Sequence, residues 1–104
     1  MTTVTFSSLD GKISGFIVSG HSGFSVSGKD ILCSAVSSAV YLVANTITDI
    51  LHVDAVVTVK DGFMQFELPG DRLIECQDIL KGLKQHLEAL TLQFPKGLNV
   101  LSNF

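Results

Sequence analysis

The chain begins with two segments in which hydrophobic and polar residues alternate, a pattern typical of half-buried β-strands. TVTFSS (3–8) and KISGFIVSG (12–20) lie on either side of Asp10-Gly11, a two-residue hairpin signal. DAVVTVK (54–60) and FMQFELP (63–69) flank a second such signal, Asp61-Gly62. The alternation therefore predicts two antiparallel β-hairpins.

Two further segments have hydrophobic residues at helical spacing. The first covers residues 30–51, and Asp30 is a suitable N-cap because its carboxylate accepts a hydrogen bond from a free amide of the first turn. The second covers residues 71–90, with Asp71 as the expected cap. The first stripe consists of Leu32, Val36, Val40, Val43, Ile47 and Ile50, and the second of Leu73, Cys76, Leu80, Leu83, Leu87 and Leu90.

The order of these elements predicts the fold class. Two strands, a helix, two strands and a helix are followed by GLNVL, a short last strand after Pro95. We expect a two-layer α+β sandwich with a mainly antiparallel sheet and two helices on one face. The 104 residues suit a single domain spanning 1–104.

Composition narrows the functional classes. The net charge of −3 gives no electrostatic reason to bind nucleic acid. Two cysteines are too few for a disulfide framework or a zinc site, so we expect no metal and no cofactor. Without a signal-peptide pattern or an uninterrupted apolar run of membrane-spanning length, we expect a cytoplasmic protein that does not enter a membrane. The 46% content of hydrophobic residues suggests that apolar surface is buried between subunits.

GFSVSGKD (23–30) nearly matches a phosphate-binding loop and lies between a strand and a helix, as such a loop does. Its last position differs, because Asp30 replaces the serine or threonine that would bind the magnesium of a nucleotide. A carboxylate there would also compete with phosphate for the same helix amides. The sequence therefore disfavours phosphate binding.

Cys33 and His21 lie on either side of the same loop. If Asp30 caps the helix, Cys33 is its third residue, where unpaired amides and the helix dipole favour a thiolate. The loop contains Gly23 and Gly28 and can fold back, so a thiolate–imidazole pair is within reach. The alternative for an early helical cysteine is simple core packing.

The remaining candidates are weaker. Ser37 lies one turn after Cys33 on the same helix face and can support it by a hydrogen bond. Cys76 is expected to be buried and inert, and His52 and His86 are expected to be structural or exposed to solvent. For a substrate pocket, the aromatic candidates Phe24, Phe63 and Phe66 suit the core equally well.

Gly20-His21, the loop, and GKDILCSAVS (28–37) together resemble the Prp family of bacterial ribosomal-processing cysteine proteases, whose pattern is close to G-H-A, a short loop, then G-x-D-I-V-C-A-A-V-S. The element order is also similar. This sequence differs at Ser22, Leu32 and Ser34, changes that leave every mechanistic group in place.

The resemblance implies an endopeptidase that removes the N-terminal extension of a large-subunit ribosomal protein, the one numbered twenty-seven, after an aromatic-rich stretch. It implies Cys33 as nucleophile and His21 as acid–base partner, with Asp30 and Ser37 supporting them. It also implies a homodimer. Gly20, Ser22, Gly23 and Gly28 are the candidate substrate-loop residues, and we expect the loop from Ser22 to Lys29 to order over the substrate.

Two other functions remain open from the sequence. The first is a non-catalytic, ribosome-associated module that binds a peptide with the same fold. The second is a thiol-redox protein, which would need Cys76 to come within bonding distance of Cys33. The position of Cys76 within a helical seam argues against the redox function.

Overall fold

The structure is a computed structural model, and it describes residues 1–20 and 29–103, with residues 29 and 30 described by their backbone. Two helices and five strands are assigned. In chain order they are β1 (Thr2–Leu9), β2 (Lys12–Ser19), α1 (Lys29–Asn45), β3 (Val56–Lys60), β4 (Phe63–Glu67), α2 (Gln77–Gln93) and β5 (Leu98–Ser102).

The strands form one sheet in the order β3-β4-β2-β1-β5. Three of the four pairings are antiparallel, and β5 runs parallel to β1. Since β4 and β5 point in the same direction, the chain must cross back over the sheet between them, and α2 supplies this crossover. The predicted α+β fold with a mainly antiparallel sheet is confirmed.

The first hairpin turns as its sequence predicts. Asp10 and Gly11 have φ angles of 53° and 76°, and Leu9 pairs with Lys12 across them. Two consecutive positive φ angles match the right-handed twist of the flanking strands, which is why Asp-Gly is favoured here. The second hairpin closes on Lys60 and Phe63, with Gly62 at φ 71°.

One hydrophobic core fills the space between the sheet and the helices. Phe16 lies at its centre on β2, where its ring stacks on Phe66 at 5.1 Å between centroids and packs at a tilt against Phe6 at 6.1 Å. Gly15 precedes it because a Cβ there would collide with the carbonyl oxygen of Phe66. The helices cover this face with α1 residues Leu32, Val36, Val40 and Val43, with Ile47 just after α1, and with α2 residues Leu80, Leu83, Leu87 and Leu90.

The first helix departs from the prediction at its C-terminal end. Five residues of π-helix, Thr46–Ile50, follow α1, and Leu51 N–H donates to the carbonyl of Thr46. A π turn contains more residues than an α turn, so the side chains that follow no longer lie on the same helix face. Ile50 is therefore 70% exposed, and its predicted place in the buried stripe is wrong.

The segment Ile31–Ile50 is long and apolar enough to cross a membrane by length and composition alone, although serine, threonine, asparagine and aspartate residues interrupt its apolar run. Core helices of globular domains have the same properties. Its residues Leu32, Val36 and Val40 are buried against the sheet, which accounts for much of this apolar character.

The second helix begins later than predicted. Asp71 lies in a turn, a short 3₁₀ segment spans Ile74–Cys76, and α2 starts at Gln77, so Asp71 does not cap the helix. The predicted seam is confirmed, because all six of its residues are buried. Leu73 and Cys76 belong to it although they precede α2.

Gln77 holds this helix start to the sheet. Its buried amide accepts a hydrogen bond from Ile13 N–H at 2.8 Å and donates to the Ile13 carbonyl at 2.8 Å and the Leu73 carbonyl at 2.9 Å. The register between β1 and β2 shifts at Ser7 and Ser8, beside Ile13. The side chain thus satisfies backbone groups next to a bulge.

We predict that Gln77→Leu destabilises the fold by about 2–4 kcal/mol, because three buried backbone contacts lose their partner. Denaturant unfolding measures this change. Gln85→Leu on the exposed side of α2 is the control, with an expected change below about 0.5 kcal/mol. Equal effects of the two substitutions would contradict the role assigned to Gln77.

Candidate active site

Cys33 lies on α1 as a free, partly exposed thiol. The helix begins at Lys29, so Cys33 is its fifth residue and not the third. The helix dipole and the unpaired amides act mainly within the first turn, and Cys33 therefore lies just beyond the position at which they are strongest. Since Asp30 is itself inside the helix, its predicted N-cap position is wrong.

Leu32 fixes the start of α1 against the rest of the domain. It is buried, and a Cβ on Gly97 would come within 2.7 Å of its Cδ2 atom. Gly97 is held in turn by hydrogen bonds to Phe94 and Thr2. The close approach of Leu32 and Gly97 sets the rotation of the first turns, and this rotation leaves Cys33 partly exposed.

Ser37 lies one turn after Cys33 on the same face of α1 and is partly buried. It lines a groove of about 110 Å³ between α1 and the β3–β4 hairpin. The other lining residues are Val18, Val40, Tyr41, Val59, Lys60, Phe63 and Met64. Val18 and Phe63 come from the ends of β2 and β4 that meet at one end of the sheet. Cys33 lies one turn before Ser37, about 6 Å away along the helix axis.

Gly20 is the last described residue before residues 21–28. Its φ angle is 76°, and a Cβ there would collide with the carbonyl oxygen of Met1. The chain therefore leaves β2 through a conformation and a space that favour glycine. Whatever its part in substrate binding, Gly20 sets the direction in which the chain continues to His21.

Several predicted site residues lie outside the described residues, namely His21, Ser22, Gly23 and Gly28, together with Phe24 and the expected ordering of this segment over the substrate. Of the predicted set, the structure places Gly20, Cys33 and Ser37, and it describes Asp30 by its backbone.

Cys76 contrasts with Cys33. It is fully buried, and burial raises the pKa of its thiol, with a smaller contribution in the same direction from the nearby Glu75 carboxylate. A neutral buried thiol is a poor nucleophile, as predicted for Cys76. His52 and His86 are exposed, also as predicted. Among the described residues, no group of histidine, cysteine and acidic side chains could hold a metal.

The sequence analysis missed part of the groove beside Ser37. Tyr41, Val59 and Lys60 line it, although none of them stood out as a candidate. The signal was present for Tyr41, which lies at i+8 from Cys33 and therefore on nearly the same helix face. Of the proposed pocket aromatics, Phe63 lines the groove, whereas Phe66 is fully buried in the core.

Residues 1–99 match the family model of the cysteine protease Prp. The chain belongs to the Prp family of cysteine proteases. No protein of curated function matches its sequence.

Several solved protein structures have the same fold as this Prp-family chain. The ribosomal processing protease Prp of S. aureus in complex with a substrate peptide gives a TM-score of 0.88 at 21% identity, over 99% of this chain and 100% of that one. The same protease with a covalently linked product peptide gives 0.86 at 22% identity, over 99% and 100%. SMU.848 from Streptococcus mutans gives 0.86 at 20% identity, over 99% and 96%.

We predict that iodoacetamide alkylates Cys33 in the native protein and reaches Cys76 only after unfolding. Partial exposure admits the reagent to Cys33, whereas burial and a raised pKa keep the Cys76 thiol protonated and inaccessible. Peptide mass spectrometry measures each site over time. Cys33→Ser, as a control, should remain unlabelled until denaturant is added, and labelling of both cysteines at one rate in the native protein would refute the contrast.

Proposed function

We propose that this Prp-family protease removes the N-terminal extension of the precursor of large-subunit ribosomal protein twenty-seven, by cleavage after an aromatic-rich stretch. The observation that carries the proposal is the position of Cys33, a partly exposed thiol on the helix face that continues into the groove at Ser37. Family membership supplies the reaction class, and the resemblance of residues 20–37 to the family pattern supplies the substrate.

In the proposed mechanism, the Cys33 thiolate attacks the carbonyl carbon of the scissile peptide bond. The protonated imidazole of His21 then gives its proton to the leaving amine nitrogen as the C–N bond breaks, which leaves a thioester on Cys33. Water attacks that thioester while His21 accepts its proton, and the thiolate is released. Unpaired N–H groups at the start of α1 are suited to stabilise the oxyanion.

Asp30 and Ser37 support this pair in the proposed site. Ser37 is one turn from Cys33, within reach of a hydrogen bond that orients either the thiol or the bound peptide. Asp30 lies in the first turn of α1, where a carboxylate interacts favourably with the helix dipole. Gly20 directs the chain toward His21, and Ser22, Gly23 and Gly28 are proposed to contact the substrate.

We also propose that the protease acts in the cytoplasm as a homodimer. The resemblance to the family is the first support. The second is a groove of about 480 Å³ between α1 and α2, which exposes Leu42 beside Ala39 and Leu83. Such apolar surface is suited to contact a second copy.

The test is cleavage of the precursor ribosomal protein by the purified chain, with the product masses measured. We expect one cut, and we expect Cys33→Ala and His21→Ala each to lower the rate at least a hundredfold. Cys76→Ala is the matched control. It removes the other thiol, and its activity should stay within about threefold of the parent where the variant is folded.

Two results would contradict the proposal, namely an intact precursor after incubation with the parent, or equal cleavage by the parent and Cys33→Ala. Binding of the extension peptide without cleavage would favour the alternative, a non-catalytic peptide-binding module. Circular dichroism of each variant separates loss of catalysis from loss of folding.

A further inference from the structure

β3 is an edge strand, and the hydrogen bonding of β4 reveals which of its backbone groups face outward. Leu68 N–H donates to the Ser14 carbonyl at 2.8 Å, so the even-numbered residues of β4, Met64 and Phe66, direct their backbone hydrogen bonds to β2. The odd-numbered residues of β4 therefore direct theirs to β3. Their partners on β3 are Val56, Thr58 and Lys60.

Val57 and Val59 are consequently left with N–H and C=O groups that point away from the sheet. Within the part of the chain that the structure describes, no strand pairs with this edge. Their side chains point to the helix-covered face, yet they are 42% and 55% exposed, whereas Met64 and Phe66 beside them are buried. The helices thus stop short of β3.

Edge strands are normally protected by charges, proline or a bulge. The edge Val-Val-Thr-Val-Lys has one charged residue, Lys60 at its end, and neither proline nor a register shift against β4. An apolar, regular and unpaired edge is the form that accepts an added strand.

This open edge borders the groove beside Ser37, which lies one helical turn from Cys33. Val59 and Lys60 line the same groove as Ser37 and Tyr41 of α1. Cys33, Ser37 and Tyr41 follow one another at intervals of four residues, so one helix face leads from the thiol along the groove. A chain lying along β3 and continuing past Lys60 therefore runs toward the end of the sheet at which α1 begins.

We propose that the substrate binds as an added strand on β3, with its backbone hydrogen-bonded to Val57 and Val59 and one side chain between Val59 and Tyr41. The occupant is an extended segment of the substrate next to the scissile bond, and this inference rests on the proposed function. The groove that joins this edge to Ser37, one turn from Cys33, favours the substrate over a second copy of the chain as the partner of this edge.

A series of N-methylated peptides tests the added strand directly. Each peptide spans the cleavage junction of the precursor of ribosomal protein twenty-seven and carries one N-methyl group, two to six residues from the scissile bond on either side. In an added strand, alternate amides face β3. Methylation should lower kcat/KM by roughly three- to tenfold at every second position and by less than twofold between them, on the side that β3 binds.

Val59→Pro tests the same contact from the enzyme. Its N–H faces outward, so proline removes a donor to the substrate without breaking a hydrogen bond to β4. We expect kcat/KM to fall roughly three- to tenfold, mainly through KM. Thr58→Val is the control, because the Thr58 backbone pairs with Gln65 of β4 and its side chain lies on the other face of β3, and it should remain within about twofold of the parent.

The outcomes separate the possibilities. If the parent cleaves the unmodified peptide but methylation has no two-residue period on either side, the added strand is overturned and the proposed function stands. If the parent sediments as a dimer and Val59→Pro as a monomer, the edge belongs to the dimer interface and the inference is wrong. A parent that leaves the unmodified peptide intact overturns both. Where Val59→Pro fails to fold, the peptide series decides.

Discussion

The packing of one face of α1 on the sheet determines where the candidate nucleophile lies. Leu32, Val36 and Val40 are buried, and burial of each such side chain contributes about 1.5–3 kcal/mol. Rotation of the helix by one residue would expose this stripe, so the energy of the core also fixes the angular position of Cys33. Contact between Leu32 and Gly97 fixes the helix at its first turn. The thiol is consequently held at the border of the core, where it is partly exposed.

Burial distinguishes the two cysteines of the chain chemically. Cys76 is enclosed by the hydrophobic core, and the loss of contact with solvent raises the pKa of its thiol. Cys33 shares its helix face with Ser37 and Tyr41, and this face borders the end of the sheet where β2 leads through Gly20 to His21. The fold thus brings Gly20, the residue before the proposed base in the sequence, to the end of the sheet at which α1 begins. The open edge of β3 adds a means of holding an extended peptide beside them.

The local patterns in the sequence predicted most of the fold. Alternation with Asp-Gly turns identified both hairpins, and helical spacing identified the buried residues of both helices. Helix ends were less predictable. Asp71 has a side chain that could cap a helix, but it lies before a 3₁₀ turn and not at the start of α2. Ile50 is exposed because the π-helical segment rotates its side chain away from the buried face of α1. The contacts of Gln77 with Ile13 join distant segments, which no local pattern reveals.

The site was less predictable than the fold. Cys33 and Ser37 were chosen from spacing, but a cysteine early in a helix is equally consistent with packing. The family pattern in residues 20–37 was needed to favour catalysis. Tyr41 and Val59 become groove residues only when α1 and β3 are brought together by the sheet. The separation of 18 residues between them hides this relation in the sequence.

The central claim is that Cys33 forms a covalent bond to the substrate, and trapping of the acyl-enzyme tests it most directly. The reaction of the enzyme with the precursor is quenched in acid within the first turnover, and the protein is digested and analysed by mass spectrometry. The account predicts the mass of the N-terminal extension attached as a thioester to the peptide that contains Cys33. Cleavage without an adduct on Cys33 in any quenched sample, or an adduct on Cys76, would contradict it.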